Sequence, residues 1–277
     1  MGRVAGPGKQ RGSEGSLLSH CNEVVNCSGA RAVLSKPMRE LTPDQLRCAP
    51  VISAQLHAAS TLSASHKELP WLPPEPWNGH LSTARLLFIG QNPSANHRED
   101  YPSGATKWRK DRLLNYFETR FDGGGKAPIF DGTRVRLLDG GHGKANPFLT
   151  AALKFARRLY GHGRTVRPGL DYALTEAVRC KAADAIGVHQ AVESCARNFL
   201  RKTLMLSGAT VVVCLGSMAH RAFTLATGVH KRSKALPFTW KTKTVVFLAH
   251  PNARPNQGRR ELTEATCLRL RRRLRPI

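Results

Sequence analysis

Two short turns carry the side chains best suited to act on a bound molecule. Gly90-Gln91-Asn92-Pro93-Ser94 follows the apolar run RLLFIG (85–90), and His250-Pro251-Asn252 closes the run KTVVFLAH (243–250). Glycine at a strand exit lets main chain approach a ligand closely, and Pro93 fixes the way out of its turn. The Asn92 carboxamide then stands at the mouth of a sheet, and Pro251 turns the His250 imidazole across the same crevice. Such a pair suits hydrogen bonding to a ligand, although a carboxamide is no strong base. Taken singly each turn is a weak signal, since both patterns also occur as plain structural turns.

For the two turns to meet, the strands before them must lie parallel in one sheet. Three continuous apolar runs have the make-up of strands buried on both faces: 85–90, ATVVVCLG (209–216) and 243–250. DYALTEAVRC (171–180) is of mixed polarity but strand length. Helical spacing lies between them in NPFLTAALKFARRL (146–159), in GVHQAVESCARNFLRKTLML, and in SMAHRAFTLATG (217–228) with Ser217 as N-cap and Gly228 as terminator. The chain closes on ELTEATCLRLRRRLR, acidic first and basic last, as the helix dipole prefers. The expected fold is α/β, a three-layer sandwich with a central, mainly parallel four-stranded sheet flanked by helices. Sites in such sheets form at the carboxyl ends of the strands, which singles out the loops after Gly90, Cys180 and His250.

Residues 1–40 are expected to be a disordered basic arm and 41–277 a single domain. The Pro-rich connector LPWLPPEPWNG (69–79) is expected to lie over the surface, anchored by Trp71 and Trp77. Two glycine clusters, DGGGK and DGGHGK, invite a phosphate-loop reading. The required earlier glycine is replaced by Arg120 and Leu138, so they read as flexible loops.

Composition narrows the partner. The chain has 277 residues, 41% of them hydrophobic, which suits a folded core. It carries 43 Lys and Arg against 19 Asp and Glu, a formal charge of +24. A surplus of that size calls for a polyanion, with nucleic acid the leading candidate. No apolar stretch is long enough to span a membrane and no secretion signal is recognisable, so no membrane partner is expected. Seven irregularly spaced cysteines (Cys21, Cys27, Cys48, Cys180, Cys195, Cys214, Cys267) are not a disulfide framework, which points to a reducing, cytoplasmic setting.

In their order the motifs resemble the uracil-DNA glycosylase superfamily, over roughly residues 85–257. That family has a G-x-x-P-x motif after its first central strand and an H-P-x motif after its last. GQNPS is similar in its Gly-Gln to the uracil-specific branch, where an Asp stands at the position of Asn92. Its Asn-Pro is similar to the mismatch-specific branch, whose Asn positions water. TEAVRC (175–180), Cys195, the F-L-x-x-x-L segment and VVVCLGSMAH resemble the thermophile-type branch, and Asn146-Pro147-Phe148 resembles the segment whose aromatic stacks on the flipped base.

The resemblance implies an enzyme that flips uracil out of DNA and hydrolyses its N-glycosidic bond in base excision repair, acting as a monomer. His250, neutral, would hydrogen-bond the anion developing at uracil O2, and Asn92 would orient the attacking water. Gly90 and Gln91 would contact the base through main chain. Phe148 would stack on it, and Tyr101 is the competing aromatic that could exclude a methyl group. Glu176 stands where the thermophile-type branch has an Asn that reads the base. As an anion it cannot donate to O4 and would oppose the leaving group unless protonated. The competing reading is an ion pair with Arg179 or Lys181, although strand alternation puts those on the other face. Asn252 and Arg254 would enter the minor groove, and Ser217 would bring helix N-terminal amides to a phosphate. The Arg-rich tail would widen the DNA footprint.

The thermophile-type branch also implies an iron–sulfur cluster held by four cysteines. Cys180 and Cys195 fit its later pair, but the chain has no CxxC, so no cofactor and no metal is expected. Two other readings stay open: a protein of the same fold that binds uracil or abasic DNA with little turnover, and a generic basic nucleic-acid-binding protein.

Overall fold

The apolar runs become a sheet because their residues find cover on both faces. In the computed structural model, which describes residues 74–93, 110–123, 128–161, 163–179, 181, 185, 187–229, 236–253 and 262–275, the sheet has five strands. They are β1 (Leu86–Gly90), β4 (Tyr172–Glu176), β5 (Val211–Leu215), β6 (Phe238–Trp240) and β7 (Lys243–Leu248), in the spatial order β4-β1-β5-β7-β6. The first four of that order run parallel, and β6 is antiparallel to β7. A separate hairpin joins β2 (Arg134–Arg136) to β3 (His142–Lys144).

Alternate side chains of each strand go to opposite layers. Leu87, Ile89, Val212, Cys214, Val245 and Phe247 pack with the helical stretch made of α3 (Val188–Cys195), a π-helical turn (Ala196–Leu200) and α4 (Arg201–Leu206), and with α5 (Ser217–Thr227). Leu86, Phe88, Val211, Val213, Val246 and Leu248 pack with α2 (Pro147–Tyr160) and α6 (Glu264–Leu274). This is the expected three-layer α/β sandwich, with all four expected strands present.

The strand count is five, not four. Phe238-Thr239-Trp240 is too short to stand out as an apolar run, and it gains strand character only by folding back on β7 through Lys241, whose φ is +51°. Helix α1 (Lys110–Thr119) and the β2–β3 hairpin were not among the expected elements. Only Asp139-Gly140-Gly141 of the DGGHGK cluster forms the turn, with Gly140 at φ +81° and the Gly141 N–H donating to Asp139 at 2.8 Å, whereas its remaining residues, read as loop, are β3 itself.

The Pro-rich connector departs from expectation as well. Residues 74–79 are buried, and Trp77 is 1% exposed. Asn78 exchanges main-chain hydrogen bonds with Leu174, and the Glu75 N–H donates to the Arg179 carbonyl, so this segment covers the free edge of β4. An uncovered edge would leave unpaired N–H and C=O groups. The described residues fall within one compact unit, Lys36–Ile277. Among them no helix is long and apolar enough to cross a membrane.

Candidate active site

All four parallel strands end at one edge, so the loops leaving them share one rim. Gly90 pairs in register with Glu176, and Leu215 with Leu248. The Gly90 and His250 turns are separated only by β5, about 10 Å at ordinary strand spacing. The two turns thus leave the same rim, as the sequence implied.

Gly90 is the centre of a tight convergence. A β-carbon built on it would overlap the Glu176 carboxyl oxygen Oε2 and stand 2.8 Å from Cζ of Phe148. Main chain holds the turn to β4, since the Ala177 N–H donates to the Gly90 carbonyl and the Val178 N–H to that of Gln91. Phe148 arrives from the first turn of α2, which Asn146 caps by accepting from the Leu149 N–H at 2.9 Å. Its ring is only partly buried against the core and reaches the Gly90 backbone. Asn92 is half-buried, and its Nδ2 donates to the Pro93 carbonyl at 3.0 Å.

Glu176 is 7% exposed, and its Oε2 has no hydrogen-bond partner among the described residues. Burial raises its carboxyl well above the ordinary range, the nearby charge of Glu75 raises it further, and Lys181 opposes both. The expected ion pairs form elsewhere. Lys181 lies 2.8 Å from Glu75, and Arg179 donates to Thr203 and to the Phe199 carbonyl. Glu75 also accepts from Asn78 at 2.8 Å and stands 3.5 Å from Arg120. Burial alone would raise Glu75, but Lys181 and Arg120 outweigh it and hold the carboxyl below the usual carboxylate range. Two buried carboxyls on adjoining segments are thereby pushed apart, Glu75 downward and Glu176 upward. Nothing in the sequence pointed to Glu75, which sits between two prolines of a segment read as surface connector.

His250 is half-buried, and burial depresses its imidazole below the ordinary value of 6.5. The Asn252 N–H donates to its Nδ1 at 3.2 Å, so Nδ1 is the unprotonated nitrogen and Nε2 carries the hydrogen. Beneath it lies Gly216, the residue between β5 and α5. Ser217 is therefore not the N-cap of α5. Gly216 holds that position at φ +93°, and Ser217 is the exposed first residue of the helix. Asn252 is exposed as well. His220 of α5 was not singled out from the sequence, where it reads as one more residue of an apolar helix face. Its Nε2 donates to the carbonyls of Cys214 at 3.2 Å and Leu248 at 3.0 Å, and its ring stacks on Phe247. It ties the ends of β5 and β7 together two residues before His250.

Tyr101, Arg254, Ser94, Cys180, Cys21, Cys27, Cys48, Trp71 and the arm 1–40 lie outside the described residues. The Arg-rich end of α6 is at the wrong edge for the site. The Arg273 carbonyl accepts from Thr210 at 2.7 Å and from Arg85 at 3.3 Å, residues that precede β5 and β1. Exposed Arg272 and Arg275 therefore border the amino ends of the strands. Cys195, Cys214 and Cys267 are buried free thiols, and Cys267 lies in the opposite layer from the other two. Among the described residues no three His, Cys, Asp or Glu side chains gather as metal ligands. These three cysteines do not form a cradle for a cluster.

Against curated proteins the chain has no significant match. The family model of the uracil DNA glycosylase superfamily matches residues 76–272, a span that takes in Glu176, Gly90, Gly216 and His250. With that match over well more than half of its length, the chain belongs to the uracil DNA glycosylase superfamily.

Proposed function

We propose that this protein removes uracil from DNA by hydrolysing the bond between the base and C1′ of its sugar. The observation that carries the reading is the convergence of the Glu176 carboxyl and the Phe148 ring on the Gly90 backbone, at the rim from which His250 also leaves. A flat ring drawn out of the duplex fits between an aromatic face and polar edge groups.

Breaking the C1′–N1 bond leaves its electron pair on the base and an electron-poor sugar. His250, neutral with hydrogen on Nε2, donates to the oxygen where that charge gathers. Asn92, its Nδ2 engaged by Pro93, accepts through Oδ1 from a water whose oxygen adds to C1′. The water's proton passes to the departing base or to solvent. Chemistry with Asn at this place is slower than with a carboxylate, which could take that proton. Hydrolysis without strand cleavage suits the site, because Lys181 at the exit of β4 is bound to Glu75 and is no ready amine for attack on C1′. Ser217 and the first amides of α5 take a backbone phosphate, and Asn252 faces the groove.

The test is an end-labelled oligonucleotide carrying one uracil, incubated with excess protein and then with alkali. Breakage at the uracil position is the expected result. An intact strand that is nevertheless retarded on a gel rejects excision and leaves DNA binding alone.

A further inference from the structure

Oε2 of Glu176, buried against Gly90 and Phe148, has no hydrogen-bond partner among the described residues. An orphaned oxygen in so dry a place costs free energy unless a ligand satisfies it. We propose that Glu176 reads the base as a neutral carboxylic acid, its hydroxyl donating to a ring carbonyl and its carbonyl accepting from the adjacent ring N–H, and that Glu75 is the positioning residue that keeps it neutral. The inference rests on the base-excision reading above and names the edge that is recognised: a lactam, such as O4 and N3–H of uracil or O6 and N1–H of hypoxanthine.

The surroundings supply the reason. On the β1 and α2 sides Glu176 faces Gly90 and Phe148, which carry no charge. Charge reaches it from Glu75 on the segment covering β4 and from Lys181 past the end of β4. Lys181 is spent on Glu75, with Arg120 beyond it, and Arg179 turns away to Thr203 and Phe199. Two cations, Lys181 and Arg120, thus settle the ionisation of Glu75, whose charge in turn opposes that of Glu176. Two close carboxyls in one dry region do not both ionise, and here the cations decide which one keeps its proton. A neutral acid offers one donor and one acceptor side by side, as a carboxamide does. An anion would offer acceptors only and repel the departing base.

Single-turnover excision rates against pH, for wild type, E176Q, E176A and E75Q, test this. At pH 7 E176Q should be about tenfold slower than wild type and E176A at least a hundredfold slower, because only the amide restores donor and acceptor. The wild-type rate should fall in alkali. The fall should come at least one pH unit earlier in E75Q, where the charge opposing ionisation is gone. The substrate N–H also ionises in alkali in every variant, so the reading is the displacement between variants. E176Q as slow as E176A, or an E75Q profile superimposed on wild type, overturns the proposal. Should E75Q fail to fold, infrared difference spectra of wild type and E176Q decide instead. A protonated-carboxyl band at neutral pH that is missing in E176Q supports the proposal, and its absence from wild type overturns it. The spectrum needs no turnover, so it separates this inference from the excision reading, which falls only if uracil stays in the strand.

Discussion

Gly216 lies directly beneath His250: a β-carbon added to Gly216 would stand 3.0 Å from Cβ of His250 and 3.3 Å from its ring carbon Cδ2. The position is doubly reserved for glycine. Its φ of +93° with ψ of 164° is a region that residues with a side chain avoid, and the neighbour is part of the rim. Gly216→Ala should therefore lower stability by about 1–3 kcal/mol and displace the imidazole. Uracil excision should fall by more than tenfold while the protein still melts cooperatively. Full activity in a folded variant would mean that His250 has no fixed place to keep.

His250→Ala removes one donor from the developing anion, an effect of the order of 10²–10³-fold in rate. DNA affinity, measured by gel retardation, should change little, because the charge of the chain carries it. The pH dependence follows from the depressed imidazole. The neutral form persists below 6.5, so the acid limb of the excision rate should have its midpoint under that value. Protonation would also set an Nδ1–H against the Asn252 N–H. Asn92 does not titrate and adds no limb of its own. An acid limb that survives unchanged in a residual-activity His250→Ala assay would assign it to another group.

Gly90→Ala separates recognition from binding. The new methyl would fall on the Glu176 carboxyl and close to the Phe148 ring, displacing the two groups assigned to hold the base. Excision should drop at least a hundredfold with duplex affinity retained, read by single-turnover assay and by retardation of a uracil-free duplex. Phe148→Ala then gives the complementary result, a slower reaction with room left in the slot.

What the sequence made legible was what obeys local rules. The runs 85–90, 209–216 and 243–250 are apolar throughout because both faces are covered, so strand, parallel sheet and the shared rim followed together. The turns at Gly90 and His250 were legible as a pair for the same reason. Glu75 was not, because its importance comes from Lys181 and Arg120, which lie far away in sequence and meet only through the fold. The connector's burial was hidden likewise: four prolines signal the absence of helix but say nothing about which strand edge they cover. Strand β6 exists by pairing, with too few residues for a pattern of its own. Gly216 was taken for the end of a strand and Ser217 for the cap, since a serine before an apolar helix is the stronger local signal.

The two buried carboxyls should also write opposite signatures into stability. Glu75 is held below its ordinary value of 4.5 by its cations. Its contribution is complete above 4.5 and is lost as pH falls through its own lower value. Glu176 is raised by burial and by Glu75, so the unfolded chain releases this proton near 4.5 while the folded protein retains it. Stability therefore declines as pH climbs from 4.5 towards the raised value, since the unfolded state binds fewer protons across that window. Glu176→Gln abolishes the decline because the amide has no proton to release in either state. Melting temperatures of wild type and Glu176→Gln, followed from pH 4.5 to 9 without DNA, should start close together and diverge, the variant becoming relatively more stable with every step upward. Parallel curves would show that Glu176 ionises as freely in the folded protein as in the unfolded chain, and the hydroxyl assigned to it would not exist at the pH where DNA is repaired.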